Sequence, residues 1–146
     1  MKILNKENRL YAFWMFVVAM IGMLLLTACN KETLDIKQDF PFDVNVMPVP
    51  KDIKNRQTVE IRMTILPSGD YSNTRYYLRF FQYDGTGVLR YYNEEPYQPN
   101  DLYPLPAKTF RLYYTSTSAV SQSFDVWVFD GFGNEKKLEF QFNNSD

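Results

Sequence analysis

The sequence predicts an all-β domain, an antiparallel β-sandwich of about seven strands, preceded by a cleaved signal peptide. Three observations support this fold class. Aromatic residues make up 17% of the 146 residues, with 11 Tyr and 12 Phe, and these residue types favour strands. Several segments alternate apolar and polar residues with the period of two that a half-buried strand requires. Turn-forming residues separate these segments at short intervals, which is typical of a sandwich.

The first 28 residues differ from the rest of the sequence and resemble an export signal. Basic residues precede sixteen uncharged residues, Tyr11–Leu26. The segment Leu26-Thr-Ala-Cys29 is similar to a bacterial lipobox, in which the cysteine is lipidated and the polypeptide is cut just before it. Cys29 is also the only cysteine in the sequence. We therefore predict a lipoprotein signal peptide over residues 1–28; the alternative is an uncleaved transmembrane helix.

Residues 29–41, the lipidated Cys and a polar tether, lead to the folded domain at residues 42–146. The first predicted strands are Phe42–Met47 and Thr58–Ile65. In the second, apolar residues occupy every other position, so one side faces the core and the other faces solvent. The segment Pro67-Ser-Gly-Asp70 then predicts a turn.

The middle of the domain contains two predicted strands and one long loop. The strands Arg75–Tyr83 and Val88–Tyr92 flank the glycine-containing segment Asp84-Gly-Thr-Gly87, which predicts a β-hairpin. Residues 93–106 contain four prolines, which disfavour regular structure. We expect this segment to be the longest loop of the domain.

Three further strands, Thr109–Thr115, Ser123–Phe129 and Lys137–Phe142, complete the predicted sandwich. The last two are joined by the turn segment Asp130-Gly-Phe-Gly-Asn134. This final hairpin is similar to the end of many bacterial immunoglobulin-like domains, so we expect an immunoglobulin-like sandwich. The Cys-Trp-Cys core of antibody domains is absent, which makes this a variant without a disulfide.

Adjacent aromatic residues on the strands place one ring in the core and the next ring outside, because successive residues of a strand point to opposite faces. The outward positions combine aromatic residues with arginine, which are enriched at binding surfaces. The alternative is that these rings only stabilise the sheet or are covered by the 93–106 loop. The predicted interaction surface consists of Tyr77, Arg79, Phe81, Tyr83, Arg111, Tyr113 and Trp127.

The long loop and the end of the strand before it offer a second candidate site. Tyr91, Tyr92, Tyr97 and Tyr103 lie among asparagine, glutamine and acidic residues, a composition that suits contacts with a sugar or a peptide. An ordinary turn-rich connection is the alternative. The acidic residues of the loop are expected to be solvated rather than to form a catalytic pair or a calcium site.

The composition excludes several classes of function. The sequence has no histidine and a single cysteine, which excludes Ser-His-Asp and Cys-His nucleophilic sites, histidine-ligated metals and internal disulfides. A formal net charge of −1 gives no electrostatic attraction to nucleic acid. We expect no catalytic residues, no metal, no cofactor, no small-molecule substrate and no direct contact with nucleic acid. The protein is therefore not expected to be an enzyme.

Several stretches together resemble the TraQ family of Bacteroides-type conjugative transposons, which are small lipoproteins of the transfer gene cluster. The resemblance implies an immunoglobulin-like fold and a role in conjugative transfer, and it supplies no catalytic motif. Cys29, as the lipidation site, is the one position that it maps residue by residue. The stretches are Tyr11–Cys29, Leu34–Phe42, Met47–Pro50, Arg75–Leu89, Pro99–Pro104, Phe110–Ser116 and Asp130–Asn134.

These observations lead us to expect a lipid-anchored envelope accessory protein of a conjugative transposon transfer apparatus that acts through protein–protein contacts. Its expected partners are the membrane, through Cys29, and other proteins of the conjugation apparatus. Its expected location is the bacterial cell envelope, at the outer membrane, with the periplasmic and surface leaflets both left open. The alternative is a lipid-anchored glycan- or peptidoglycan-binding module that uses the Tyr91–Tyr103 loop.

Overall fold

The computed structural model describes residues 6–25, 40–70 and 72–146. One helix, α1 (Lys6–Leu25), lies within the predicted signal peptide, and its described side chains, from Tyr11 to Met20, are exposed. No helix in the described residues is long and apolar enough to cross a membrane. The predicted lipidation site, Cys29, lies outside the described residues.

The β domain is a second unit, and nine strands occur in its described residues. Seven of them correspond to the predicted strands, with small differences at their ends. The other two, β2 and β6, are short. The strands are β1 (Phe42–Val46), β2 (Asp52–Ile53), β3 (Thr58–Pro67), β4 (Tyr76–Asp84), β5 (Gly87–Tyr91), β6 (Tyr103–Leu105), β7 (Thr109–Ser116), β8 (Gln122–Asp130) and β9 (Glu135–Asn144).

The strands form two sheets. One has four strands in the order β1-β3-β7-β5, and the other has five in the order β2-β9-β8-β4-β6. All pairs are antiparallel except β2 with β9. The four-stranded sheet and the β9-β8-β4 part of the other reproduce the two sheets of an immunoglobulin constant-type domain. The predicted immunoglobulin-like sandwich is therefore confirmed, with β2 and β6 added at the edges of the second sheet.

The core lies between the sheets and is built from the apolar positions of the alternating strands. On β3, for example, every second residue from Val59 to Ile65 is buried. Aromatic rings from both sheets meet at the centre, where Phe124 stacks on Tyr114 and Phe140 at centroid distances of 4.3 and 5.2 Å. These large buried rings contribute much of the hydrophobic stabilisation because each removes a large apolar area from water.

The predicted hairpin between Arg75–Tyr83 and Val88–Tyr92 is wrong. Strand β4 pairs with β8 and β6, whereas β5 pairs with β7 in the other sheet. The glycines of the connecting segment therefore serve a crossover from one sheet to the other. Gly85 has a positive φ of 68°, and a Cβ atom on Gly87 would collide with the hydroxyl group of Tyr114.

A buried polar cluster lies beneath this crossover. The hydroxyl group of Tyr114 donates to Gln122 Oε1 at 2.7 Å and accepts a hydrogen bond from Gln82 Nε2 at 2.6 Å. Gln122 Nε2 donates to Ser118 Oγ at 2.9 Å, so the cluster reaches the β7–β8 turn. Burial raises the pKa of Tyr114 to about 12. Because its polar atoms are paired, the cluster closes this end of the sandwich without leaving an unsatisfied group there.

The expectation that residues 93–106 lack regular structure is wrong at Tyr103–Leu105, which forms β6 at the edge of the five-stranded sheet. Pro104 is tolerated there because an edge strand does not need every backbone donor. The rest of the segment bridges the two sheets: Tyr97 N donates to Leu89 O at 2.8 Å, and Asn100 N donates to Phe80 O at 2.9 Å. The loop thus closes one side of the sandwich.

The final hairpin, β8 with β9, is confirmed. Its turn is held by the buried carboxylate of Asp130, which accepts hydrogen bonds from the backbone N–H groups of Phe132 and Asn134 at 2.8 and 2.9 Å. Gly133 provides the positive φ of 98° that the turn requires. The Asp130–Asn134 segment is therefore a structural turn.

Candidate interaction site

The outer surface of the five-stranded sheet carries a continuous group of rings around one arginine. These residues come from β4 and β8, which are paired interior strands of the sheet. Period-two alternation directs them outwards, while their neighbours in sequence, such as Leu78 and Val128, are buried. We call this group the aromatic face, and it consists of Tyr77, Arg79, Phe81, Tyr83, Trp127 and Phe129.

Arg79 lies at the centre of the aromatic face. It pairs in register with Trp127, and its guanidinium carbon lies 5.3 Å from the ring centroid of Trp127 and 5.2 Å from that of Phe129. Both distances are within the range of a cation–π interaction. Within the described residues no carboxylate forms a salt bridge with Arg79, and its buried Nε atom has no hydrogen-bond partner.

A buried carboxylate borders the rings. Asp125 is only 4% exposed although it lies on the outward side of β8. It accepts a hydrogen bond from the hydroxyl group of Tyr83 at 2.8 Å and forms a salt bridge with Lys137 Nζ at 2.8 Å. These contacts raise the pKa of Tyr83 and that of Lys137, because each prefers its protonated form beside the carboxylate. Lys137 Nζ also lies 2.9 Å from Glu139 and 5.8 Å from the Trp127 ring centroid.

A cleft of about 600 Å³ lies beside this carboxylate, lined by Tyr83, Asp125, Lys137, Glu139 and residues of β8 and β9. The ring of Phe81 packs edge-to-face against that of Tyr83, with centroids 4.9 Å apart. In the part of the protein that the structure describes, no group of three or more acidic, histidine or cysteine residues is arranged to hold a metal ion. The arrangement offers flat apolar rings, one central cation and polar groups at one side, which suits contact with another molecule.

The structure divides the predicted interaction surface between two sheets. Arg111 and Tyr113 lie on β7, on the outer surface of the four-stranded sheet, and not with Arg79. There Glu60 contacts Arg62 at 3.1 Å and Arg111 at 2.9 Å. The hydrogen bond from Arg62 lowers the pKa of Glu60, with further lowering by Arg111, against the raising effect of desolvation. Two cations of this second surface, Arg62 and Arg111, are therefore paired with Glu60, whereas the exposed Arg90 on β5 forms no salt bridge in the described residues.

The four tyrosines of the second candidate site have different environments. Tyr91 and Tyr97 are buried in the core, so they are not available as surface contacts. Burial raises the pKa of Tyr97. Tyr103 stacks on Tyr97 at 4.0 Å and accepts a hydrogen bond from the backbone N–H of Gln98 at 2.7 Å. Tyr92 is 41% exposed and lies 6.3 Å from the ring of Tyr113. These contacts make the group mainly structural.

Three residues of the site were absent from the predicted interaction surface: Asp125, Lys137 and Phe129. Alternation along β8 places Asp125 and Phe129 on the same side as Trp127, so the strand pattern contains this information. Lys137 lies opposite Trp127 in the β8–β9 hairpin, and the turn length would have given that register. The hydrogen bond between Tyr83 and Asp125 is not visible in the sequence, because nothing there shows that β4 lies beside β8.

The protein is thus a small immunoglobulin-like sandwich that carries the aromatic face on the outer surface of one sheet. A family model for the TraQ conjugal transfer protein matches residues 12–145, so the chain belongs to this family. The resemblance found in the sequence is thereby confirmed. No curated protein gives a significant match.

Solved structures from three Bacteroides species are similar to this chain. A conjugative transposon lipoprotein from Bacteroides eggerthii is 46% identical, with a TM-score of 0.68, and the match covers 73% of this chain and 100% of that one. A lipoprotein from Bacteroides thetaiotaomicron is 45% identical, with a TM-score of 0.67 and coverage of 80% and 90%. A conjugate transposon protein from Bacteroides vulgatus is 44% identical, with a TM-score of 0.65 and coverage of 78% and 93%.

Proposed function

We propose that this TraQ family member is a lipid-anchored accessory protein of the conjugative transfer apparatus in the bacterial envelope, and that the aromatic face forms its protein–protein contacts. The observation that carries the proposal is the arrangement around Arg79: a cation without a salt bridge in the described residues, whose guanidinium carbon lies 5.3 Å from the ring centroid of Trp127 and 5.2 Å from that of Phe129 on an outer surface. Tryptophan, tyrosine and arginine are the residue types that dominate binding energy at protein interfaces.

The lipid anchor in this proposal is supported by the segment Leu26-Thr-Ala-Cys29 and by the descriptions of two relatives as lipoproteins. Each buried acyl CH₂ contributes about 0.8 kcal/mol to membrane affinity, so several acyl groups on Cys29 would hold the domain firmly at a membrane. We assign the anchor to the outer membrane. A domain held there can reach other envelope proteins of the transfer apparatus through the aromatic face, in which Tyr83 is exposed and the other five residues are half-buried.

The alternative, a glycan- or peptidoglycan-binding module, has less support. It relied on the tyrosines of the Tyr91–Tyr103 segment, and two of them, Tyr91 and Tyr97, are part of the core. The aromatic face could stack on a sugar ring, but its central cation is a feature that neutral glycans do not need. We therefore treat glycan binding as an outcome of the experiment below rather than as a second proposal.

The proposal is tested by affinity capture of the full-length, membrane-anchored protein after mild cross-linking in donor cells. The test variant is Arg79→Ala with Trp127→Ala. Its matched control is Arg111→Ala with Tyr113→Ala, which removes an arginine and an aromatic ring from the opposite sheet. We expect recovery of other transfer proteins to fall by about tenfold or more in the test variant, since hot-spot truncations cost at least about 1.4 kcal/mol.

Two further samples complete the design. A Cys29→Ala strain should lose both the membrane anchor and the captured transfer proteins. A glycan array with the folded wild-type protein should give no hits. Equal capture by the two double variants, or hits on the array with no transfer protein recovered from the wild type, would contradict the proposal.

A further inference from the structure

Arg79 and Lys137 are the two cations that strands β4, β8 and β9 direct to the outer surface of the five-stranded sheet, and they differ in how their charge is balanced. Lys137 Nζ contacts two carboxylates, Asp125 at 2.8 Å and Glu139 at 2.9 Å. Arg79 has no salt bridge within the described residues. Glu135, another acidic residue on this surface, belongs to β9, and β8 separates it from β4. The uncompensated positive charge is thus at the centre of the face.

From this charge pattern we infer that the aromatic face receives a carboxylate group of a protein partner, bound by the guanidinium of Arg79, with apolar partner residues against Trp127 and Phe129. The inference rests on the proposed function and names the chemistry of the partner segment. The carboxylate belongs either to an Asp or Glu residue or to the C-terminus of the partner, since both present the same pair of oxygen atoms.

The surroundings of Arg79 favour the binding of a partner carboxylate. The two terminal nitrogens of a guanidinium form a fork that matches a carboxylate with two parallel hydrogen bonds. The Nε atom of Arg79 is buried and has no hydrogen-bond partner in the described part of the protein. Part of the free-energy cost of removing the guanidinium from water is therefore incurred on folding, before a partner binds. Trp127 and Phe129 restrict the arginine, which reduces the entropy lost on binding.

The same charges argue against an anionic membrane surface or a polyphosphate as the ligand. Electrostatic recognition of anionic lipids takes clusters of about 4–8 Lys and Arg residues. Arg79 is the single outward cation on the strands of this sheet that lacks a salt bridge in the described residues, and the carboxylates of Asp125 and Glu139 beside it would repel an extended negative surface. One planar cation surrounded by rings fits one carboxylate within an apolar segment.

The test uses the full-length, membrane-anchored protein in donor cells, with the photo-cross-linker p-benzoylphenylalanine in place of Tyr77. Cross-linked material is compared for Arg79, Arg79→Lys and Arg79→Gln, with Arg62→Gln as the control on the opposite sheet. Mass spectrometry then identifies the cross-linked segment. We expect the yield to fall by about tenfold or more with Arg79→Gln, because a charged hydrogen-bond partner is lost. Arg79→Lys should give an intermediate yield, since it keeps the charge and loses the fork.

The identified segment should contain an acidic residue or a C-terminus beside apolar residues, and its position distinguishes these two sources. The inference would be overturned if Arg79→Gln left the yield unchanged or if the cross-linked segment contained no carboxylate; both results are compatible with a protein-contact function. Cross-linking to lipid would also overturn it. If the wild-type protein gives no cross-linked partner protein, both this inference and the proposed function are overturned.

Discussion

The outer surfaces of the two sheets contain similar residue types but balance their charges differently. On the four-stranded sheet, Glu60 forms salt bridges with Arg62 and Arg111 at 3.1 and 2.9 Å, and Arg90 forms none in the described residues. On the five-stranded sheet, Arg79 contacts two aromatic rings and forms no salt bridge in the described residues. A carboxylate, Asp125, lies on the same surface, but it forms its salt bridge with Lys137. Arg79 is half-buried against these rings, whereas Arg62, Arg90 and Arg111 on the other sheet are exposed. The surroundings of an arginine, more than its presence, therefore distinguish a surface suited to binding from a solvated one.

The largest expected effect on stability comes from Asp125→Ala, which removes the carboxylate that binds Lys137 and Tyr83. Hydrogen bonds to charged groups contribute about 1.5–3 kcal/mol each when buried. Because Lys137 is partly exposed and can recover water, we expect the free energy of unfolding to fall by about 2 kcal/mol in urea titrations. The matched change on the other sheet, Glu60→Ala, should lower the free energy of unfolding far less, and an equal loss in both variants would remove the distinction between the surfaces.

The second expected effect is a difference in pH response. The pKa of Tyr83 is raised above 10.0 by its hydrogen bond to Asp125, so its contribution to stability is fully present below pH 10 and is lost as the pH rises through the raised pKa. Other tyrosines also have raised pKa values, so the relevant quantity is the difference between wild type and Tyr83→Phe. That difference should shrink between neutral pH and pH 11 in urea titrations; a constant difference would contradict the proposed cause.

On the four-stranded sheet, the stability contributed by Glu60 should change at acidic pH. The pKa of Glu60 is lowered below 4.5, chiefly by its hydrogen bond to Arg62. Its contribution is present above pH 4.5 and disappears as the pH falls through the lowered value. The advantage of wild type over Glu60→Gln should therefore be small at pH 7, because exposed ion pairs contribute little, and it should vanish once the pH has fallen below the lowered pKa. A wild-type advantage that grows in acid would show that the assigned pairing is wrong.

Arg79→Gln should have only a small effect on stability. Arg79 makes only ring contacts within the described residues, and a cation–π contact at a surface contributes about 0.5–1 kcal/mol. Urea titration should therefore show a loss of about 1 kcal/mol or less, with cross-linking yield falling far more. A much larger loss of stability would indicate that Arg79 is mainly a structural residue.

The sequence predicted the strands and their inward and outward sides because period-two alternation is a local property. All seven predicted strands form, and Arg79 and Trp127 do face outwards. Alternation does not say which sheet a strand joins, which is why β4 and β5 were wrongly paired and Arg111 was grouped with Arg79. Strands as short as β2 and β6, of two and three residues, have too few positions to show a period.

The candidate site was partly predictable for the same reason. Tyr91 could have been assigned to the core, since it follows Leu89 by two residues on β5. Tyr97 could not, because it lies in an irregular segment where no periodicity applies and its burial depends on the bridge between the sheets. The pairing of Lys137 with Asp125, which leaves Arg79 uncompensated, depends on three neighbouring strands and required the structure.

The most direct test of the account is the frequency of conjugative transfer from donors with chromosomal copies of the two double variants, with each protein at wild-type level in the membrane. We predict that Arg79→Ala with Trp127→Ala lowers transfer by about tenfold or more, in line with the loss of an interface hot spot, and that Arg111→Ala with Tyr113→Ala leaves it within about twofold of wild type. Wild-type transfer in the first variant, or an equal loss in both, would contradict the proposal that this protein acts through the aromatic face.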